Sequence, residues 1–306
     1  MHITFFSKDT KPEPWVNALR QQLPDARAEA WAPGAEPADY AGDWAPPQDF
    51  LDAQPRLKGL FNIGAGVDAL MQLRLPTGVP VVRLDDAGMS VQMAEYVCHA
   101  VIRYFRELDV YAEEAQQAHW AFRRPRVRAD FTVGVMGLGV LGQRVAQALR
   151  GFEFPVVGWS RTPREVEGIT CHAGAEGLSA FLGASQVLVN LLPLTPDTEN
   201  ILNRDTLAQL RPGAYVINVA RGAHLVDADL LALLDSGHLA GATLDVFRTE
   251  PLPAEHPFWQ HRCITVTPHT SARTLRDESV AQIVGKIRAL ERGESITGVV
   301  DPLRGY

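Results

Sequence analysis

From about Phe131 the chain alternates short apolar runs with stretches of mixed polarity. FTVGVM (131–136), PVVGW (155–159), QVLVNLL (186–192), AYVINVA (214–220), ATLDVF (242–247) and CITVTP (263–268) have strand length and are almost continuously apolar. Such runs predict strands buried on both faces, the signature of a parallel sheet covered by helices. RVAQALRGF (144–152), NRDTLAQL (203–210) and DADLLALLDSG (227–237) lie between them with helical spacing. The last of these opens on acidic residues and stops at a glycine, as helices tend to. This half therefore predicts a doubly wound α/β domain.

The first 90 residues repeat the pattern less regularly. HITFFS, RAEAWA, LKGLFNIG and VPVVRL predict strands, while EPWVNALRQQL and the segment after Asp68 predict helices. Prolines around 33–55 mark a long connection, either a functional loop or irregular packing. From Val91 to Trp120 neither Gly nor Pro interrupts the chain, and apolar positions 93, 97, 101, 104, 105, 108 and 111 keep helical spacing. A single helix of that extent would run about 45 Å, enough to link two domains and to face a second subunit. The alternative is two shorter helices with a break near Asp109. A last helix, 277–293, follows the final strand, and chains of this layout return to pack on their first domain. The expected architecture is two doubly wound parallel-sheet α/β domains with a cleft between them. Residues 1–98 and 277–306 would form a flavodoxin-like substrate domain. Residues 99–276 would form a Rossmann dinucleotide-binding domain that includes the linking helix.

Composition changes this picture little. A chain of 306 residues can bury a core without disulfides or structural metal. Cys98, Cys171 and Cys263 are far apart and form no metal-ligand cluster, so no metal is expected. The opening MHITFFSKDT reads as a strand rather than a signal peptide, and no apolar stretch reaches bilayer-spanning length. The expectation is a cytoplasmic protein with no membrane partner. A formal net charge of −7 weighs against a nucleic-acid partner, yet leaves room for a local cationic site that binds a small anion.

The first candidate chemistry is the glycine turn Gly137-Leu138-Gly139-Val140-Leu141-Gly142, set between an apolar strand and a helix free of breakers. Gly137 permits a tight turn, Gly139 lets backbone approach a pyrophosphate, and Gly142 permits close helix packing. The N–H groups of Val140 and Leu141 open the helix and would face the phosphates. An ordinary glycine-rich turn is the alternative. Some 20 residues on, an acid that holds the adenosine ribose is expected, but GWSRTPR (158–164) supplies none. Ser160, Arg161 and Thr162 could instead bind a 2′-phosphate, which points to NADP(H). Otherwise these arginines are surface residues and NAD binds without its acid.

Three later segments place polar groups beyond strand ends, where ligands of open α/β sheets bind. VINVARGAHLVD holds Arg221, LDVFRTEPLP holds Asp245 and Glu250, and VTPHTSA holds His269. With the glycine turn, FNIGAGVD (61–68) and LLPLTPDT (191–198), they make the whole chain resemble the D-2-hydroxyacid dehydrogenase family. DAGMSVQMAEYV, WSRT (159–162) and the closing RGY resemble its glyoxylate/hydroxypyruvate reductase A branch.

The resemblance implies reduction of a small 2-keto acid by NADPH, with Arg221, Glu250 and His269 as catalytic residues. Imidazole suits general acid work near neutral pH, a neighbouring carboxylate orients it and favours its cation, and guanidinium binds a carboxylate through a planar fork. The resemblance also implies that backbone at Gly64, Ala65 and Gly66 binds the substrate carboxylate and that Trp44 covers the substrate. It places Asp245 near the nicotinamide and Pro193 along the cofactor, and it implies a homodimer through the helix near 91–120. A bulkier 2-keto acid such as phenylpyruvate, or a dinucleotide-sensing binding protein on the same fold, are the other readings.

Overall fold

The computed structural model describes residues 1–64 and 66–301. Its N-terminal part runs β1 (His2–Ser7), α1 (Glu13–Gln22), β2 (Arg27–Ala30), β3 (Tyr40–Trp44), α2 (Gln48–Asp52), β4 (Gly59–Asn62), α3 (Asp68–Met71) and β5 (Val81–Arg83). The five strands pair in parallel in the order β2-β1-β3-β4-β5, the flavodoxin-like arrangement. The proline-rich connection thus contains a strand and a short helix. YAGDW hides its strand character because Gly42 and Asp43 interrupt its apolar run. A Cβ on Gly42 would come within 2.9 Å of the Phe5 ring, which is why glycine fills that central position. Asp43 is wholly buried and neither of its oxygens has a hydrogen-bond partner.

The chain continues with α4 (Met89–Phe105), α5 (Leu108–Gln116), β6 (Val133–Met136), α6 (Val140–Gly151), β7 (Val156–Ser160), β8 (Thr170–Ala173), α7 (Gly174–Ala184) and β9 (Val187–Asn190). It then forms α8 (Arg204–Leu207), β10 (Ala214–Asn218), α9 (Asp227–Asp235), β11 (Leu239–Leu244) and β12 (Ile264–Val266). Seven parallel strands stand in the order β12-β11-β10-β9-β6-β7-β8, so the strand order reverses between β6 and β9. That is the Rossmann topology, whose reversal point is its ligand crevice. The uninterrupted helix from Val91 to Trp120 is not formed. The chain instead forms the two shorter helices of the alternative reading, with the break between α4 and α5, where Glu107 adopts a left-handed φ of 54° and Arg123 grips its carboxylate at 2.9 Å.

Finally α10 (Arg276–Glu291) adds Val280, Ile283, Val284 and Ile287 to the core that covers Ile3, Phe5, Tyr40 and Phe61 of the first sheet. The chain accordingly clusters into Met1–Met89 with the segment from Thr274 onward, and Ser90–Arg273. The first division falls just inside α4, after its first residue Met89, where 98/99 was expected. The reason is that Met93, Val97 and Val101 pack with Val133 and Val135 of the seven-stranded sheet. The second falls at 273/274 rather than 276/277. Among the described residues no helix is long and apolar enough to cross a membrane.

Candidate active site

The turn from β6 into α6 is built by its glycines. Gly137 has φ of 106°, and a Cβ there would press on the Leu191 carbonyl at 2.7 Å. A Cβ on Gly142 would lie 1.8 Å from the Gly137 carbonyl oxygen, so the helix can start this close only with glycine. At Gly139 a Cβ would meet no protein atom within 4 Å. The protein's own packing therefore does not require glycine there, whereas close approach by a pyrophosphate would. No side chain caps α6, so the N–H groups around Val140 and Leu141 are not claimed by a capping residue. At the end of β7, Ser160 donates its hydroxyl to the Thr162 carbonyl at 2.8 Å, while Arg161 and Thr162 are exposed. This end offers a cation and hydroxyls but no carboxylate for a ribose diol, and so fits a phosphate-bearing cofactor. Pro193, beyond β9, is exposed, and its carbonyl accepts the Thr198 hydroxyl at 2.7 Å.

Beyond β10, β11 and β12 stand the three ionisable groups. Arg221 follows β10, and its Nη1 donates to the Ala220 carbonyl at 2.7 Å. Glu250 accepts from the Phe247 N–H at 2.9 Å through Oε1, and its Oε2 lies 2.8 Å from His269 Nδ1. A carboxylate only accepts, so Nδ1 carries a proton and Nε2 is the ring nitrogen left to exchange one. Burial alone would push the Glu250 carboxyl up. Hydrogen bonds from His269 and Phe247, with the nearby Arg221 charge, outweigh burial and hold it below the usual glutamate range.

His269 takes a left-handed φ of 53°, an uncommon backbone state for a residue with a Cβ. Its N–H donates to the carbonyls of Asp245 at 2.8 Å and Thr267 at 3.1 Å. The buried Asp245 carboxylate accepts the Thr267 hydroxyl at 2.5 Å and the N–H groups of Thr270 and Ser271, each at 2.8 Å. Sequence reasoning put Asp245 at the nicotinamide. Both of its oxygens are bound to the loop that carries His269.

In the N-terminal unit the indole of Trp44 lies directly on Gly64, where a Cβ would sit 2.1 Å from Cζ3. Trp44 Nε1 donates to Asp9 at 3.0 Å. Asn62, which the sequence reading did not single out, donates through Nδ2 to the carbonyls of Gly64 at 2.8 Å and Gly66 at 2.9 Å and thereby shapes the glycine loop. Ala65 and the closing RGY lie outside the described residues. Among the described residues no group of His, Cys, Asp and Glu could hold a metal ion.

Residues 98–271 match the family model described as D-isomer specific 2-hydroxyacid dehydrogenase, NAD binding domain. The chain belongs to this family. As a member of the D-2-hydroxyacid dehydrogenases it is 50% identical over 313 aligned positions, covering 100% of both chains, to a glyoxylate/hydroxypyruvate reductase A of Serratia proteamaculans. A D-isomer specific 2-hydroxyacid dehydrogenase of Xanthobacter autotrophicus Py2, solved in complex with NADPH and MES, superposes with a TM-score of 0.95 at 41% identity. That match covers 100% of this chain and 99% of the other. The NADPH-dependent glyoxylate/hydroxypyruvate reductase of Sinorhizobium meliloti, solved with NADP and sulfate, gives a TM-score of 0.94 at 36% identity with the same coverage. This family membership agrees with the two parallel-sheet α/β units.

Proposed function

We propose that this dehydrogenase reduces small 2-keto acids, glyoxylate to glycolate and hydroxypyruvate to D-glycerate, with NADPH. The observation that carries the reading is the His269–Glu250 pair at 2.8 Å, held beyond the strand ends by the Asp245-anchored loop. Bound NADPH supplies the hydride that the carbonyl carbon receives. His269 delivers the balancing proton to the carbonyl oxygen from Nε2, and Glu250 keeps the ring oriented through Nδ1. Arg221 binds the substrate carboxylate and stabilises the negative charge that develops on oxygen. Backbone at Gly64, Ala65 and Gly66 donates to the same carboxylate class, and Trp44 covers the substrate.

The Gly137–Gly142 turn and the N–H groups of Val140 and Leu141 hold the pyrophosphate. Ser160, Arg161 and Thr162 hold the 2′-phosphate, and Pro193 flanks the cofactor. Asp245 belongs to the nicotinamide side through the loop it anchors. The N-terminal unit with α10 acts as substrate domain and the seven-stranded unit as cofactor domain. We further infer a cytoplasmic homodimer that uses the region around α4 and α5. α5 buries none of its residues, and Trp120 and Phe122 just beyond it are 99% and 87% exposed. Initial rates of glyoxylate reduction with NADPH and with NADH test the reading. A preference for NADPH that collapses in Arg161→Ala supports it, and equal rates with both cofactors in the native protein would refute the phosphate assignment.

A further inference from the structure

Beneath the loops that carry Pro193 and Arg221 lies a polar cluster that the roles above leave unused. Asn190, Asn218 and His224 are each wholly buried. Asn190 and Asn218 are the last residues of β9 and β10 and stand opposite one another in the ladder. Two backbone donors fix their amide orientations. The Leu192 N–H lies 3.2 Å from one terminal atom of Asn190, and the Ala220 N–H lies 3.3 Å from one of Asn218. An N–H only donates, so both of those atoms are oxygens. The Asn190 amide nitrogen is then left to donate to Asn218 Oδ1 at 3.0 Å and to His224 Nδ1 at 2.9 Å. A ring nitrogen that accepts carries no proton, so the proton of His224 sits on Nε2, which faces the Pro193 carbonyl at 3.3 Å. Asn218 Nδ2 completes the chain by donating to the carbonyl of Arg221 at 3.0 Å.

We propose that His224 is a positioning residue for the reaction. In its Nε2–H tautomer it ties the Pro193 carbonyl, through Asn190 and Asn218, to the backbone of Arg221, and so fixes where the guanidinium meets the substrate. The inference rests on the role given to Arg221 above. His224 acts only through these loops, since it is buried and lies beneath them. A phenylalanine would fill the same space without desolvating a ring nitrogen, so packing alone does not explain histidine here. What histidine adds is one acceptor and one donor on opposite sides of a rigid ring, each matched to a fixed partner. The cluster runs through the two paired strand ends, so slackening it at His224 is felt at the backbone of Arg221.

A double-mutant cycle in the full-length enzyme tests this, with kcat/KM for glyoxylate as readout and thermal unfolding as a check that each variant is folded. His224→Phe should lower kcat/KM roughly 100-fold, the scale of a misplacement near 1 Å. In the Arg221→Ala background the same change should cost no more than about twofold, because the group it positions is gone. His224→Gln can accept from Asn190 and donate to Pro193, and should recover most of the loss. If His224→Phe does not fold, His224→Asn, too short to reach both partners, takes its place in the cycle. Equal fold losses in the two backgrounds would overturn the proposal, because His224 would then act independently of Arg221. Near-native turnover in Arg221→Ala alone would remove the residue through which His224 acts. That outcome refutes the catalytic reading first, so the two failures are told apart.

Discussion

Burial pushes two carboxyl groups up, hydrogen bonds reverse the shift at only one of them, and each leaves a pH signature. The Asp43 carboxyl has no hydrogen-bond partner, and desolvation raises it well above the usual aspartate range. The native state therefore keeps a proton that the unfolded chain releases near pH 3.8, and stability falls as pH rises from there towards the native value. Asp43→Val removes an unpaired polar group from a strand, and should raise stability at pH 7 by about 2 kcal/mol and flatten that slope. Urea unfolding at several pH values checks both. Glu250 has the reverse sign, because its hydrogen bonds hold the native carboxyl below the ordinary value of 4.5. Its contribution is complete above pH 4.5 and is lost as pH falls through the lower native value. Glu250→Gln should abolish that acid-side loss, and because Gln cannot hold His269 as a charged acceptor does, kcat should drop about 100-fold. An unchanged kcat would show that His269 needs no such partner.

At the level of elements, the last residue of a strand decides what the following loop can do. β4, β9 and β10 each end in asparagine, and each amide holds the loop beyond it: Asn62 the glycine loop, Asn190 the turn at Leu192, Asn218 the backbone of Arg221. Asp245 performs the same work just after β11. Asp245→Asn would turn a donor towards an N–H of Thr270 or Ser271, and should slow turnover about 100-fold while NADPH affinity stays near native. Fluorescence titration of the cofactor beside steady-state kinetics separates the two effects.

The buried strands and the glycine turn were legible in sequence because continuous apolar runs and closely spaced glycines have direct structural causes. The supporting amides were not, since an asparagine closing an apolar run looks like any polar residue at a strand end. β3 escaped because Gly42 and Asp43 interrupt its pattern, and β8 because TCHA is only half-buried at a sheet edge. The break before α5 carries no Gly or Pro. It is made by the left-handed Glu107 and the ion pairs of Arg123 and Arg126, partners that lie far along the chain.

On the scale of the whole molecule, the segment around α5 presents apolar surface that the chain itself does not cover. Trp120 and Phe122, nearly fully exposed, are where the proposed dimer would make its contact. Trp120→Lys with Phe122→Lys should convert the proposed dimer to monomer, as light scattering coupled to size exclusion would record; a native mass identical to that of the variant would exclude this surface as the contact. The discontinuity of the N-terminal unit has a consequence of its own. Among the described residues all twelve strands precede residue 267, yet the helix that supplies Val280, Ile283, Val284 and Ile287 to the first sheet comes after them. The seven-stranded unit has all its residues by Arg273, whereas Ile3 and Phe5, translated first, wait longest for their cover. A stop codon just past Arg273 would spare every strand of both sheets and still leave a nascent product for chaperones and proteases to find.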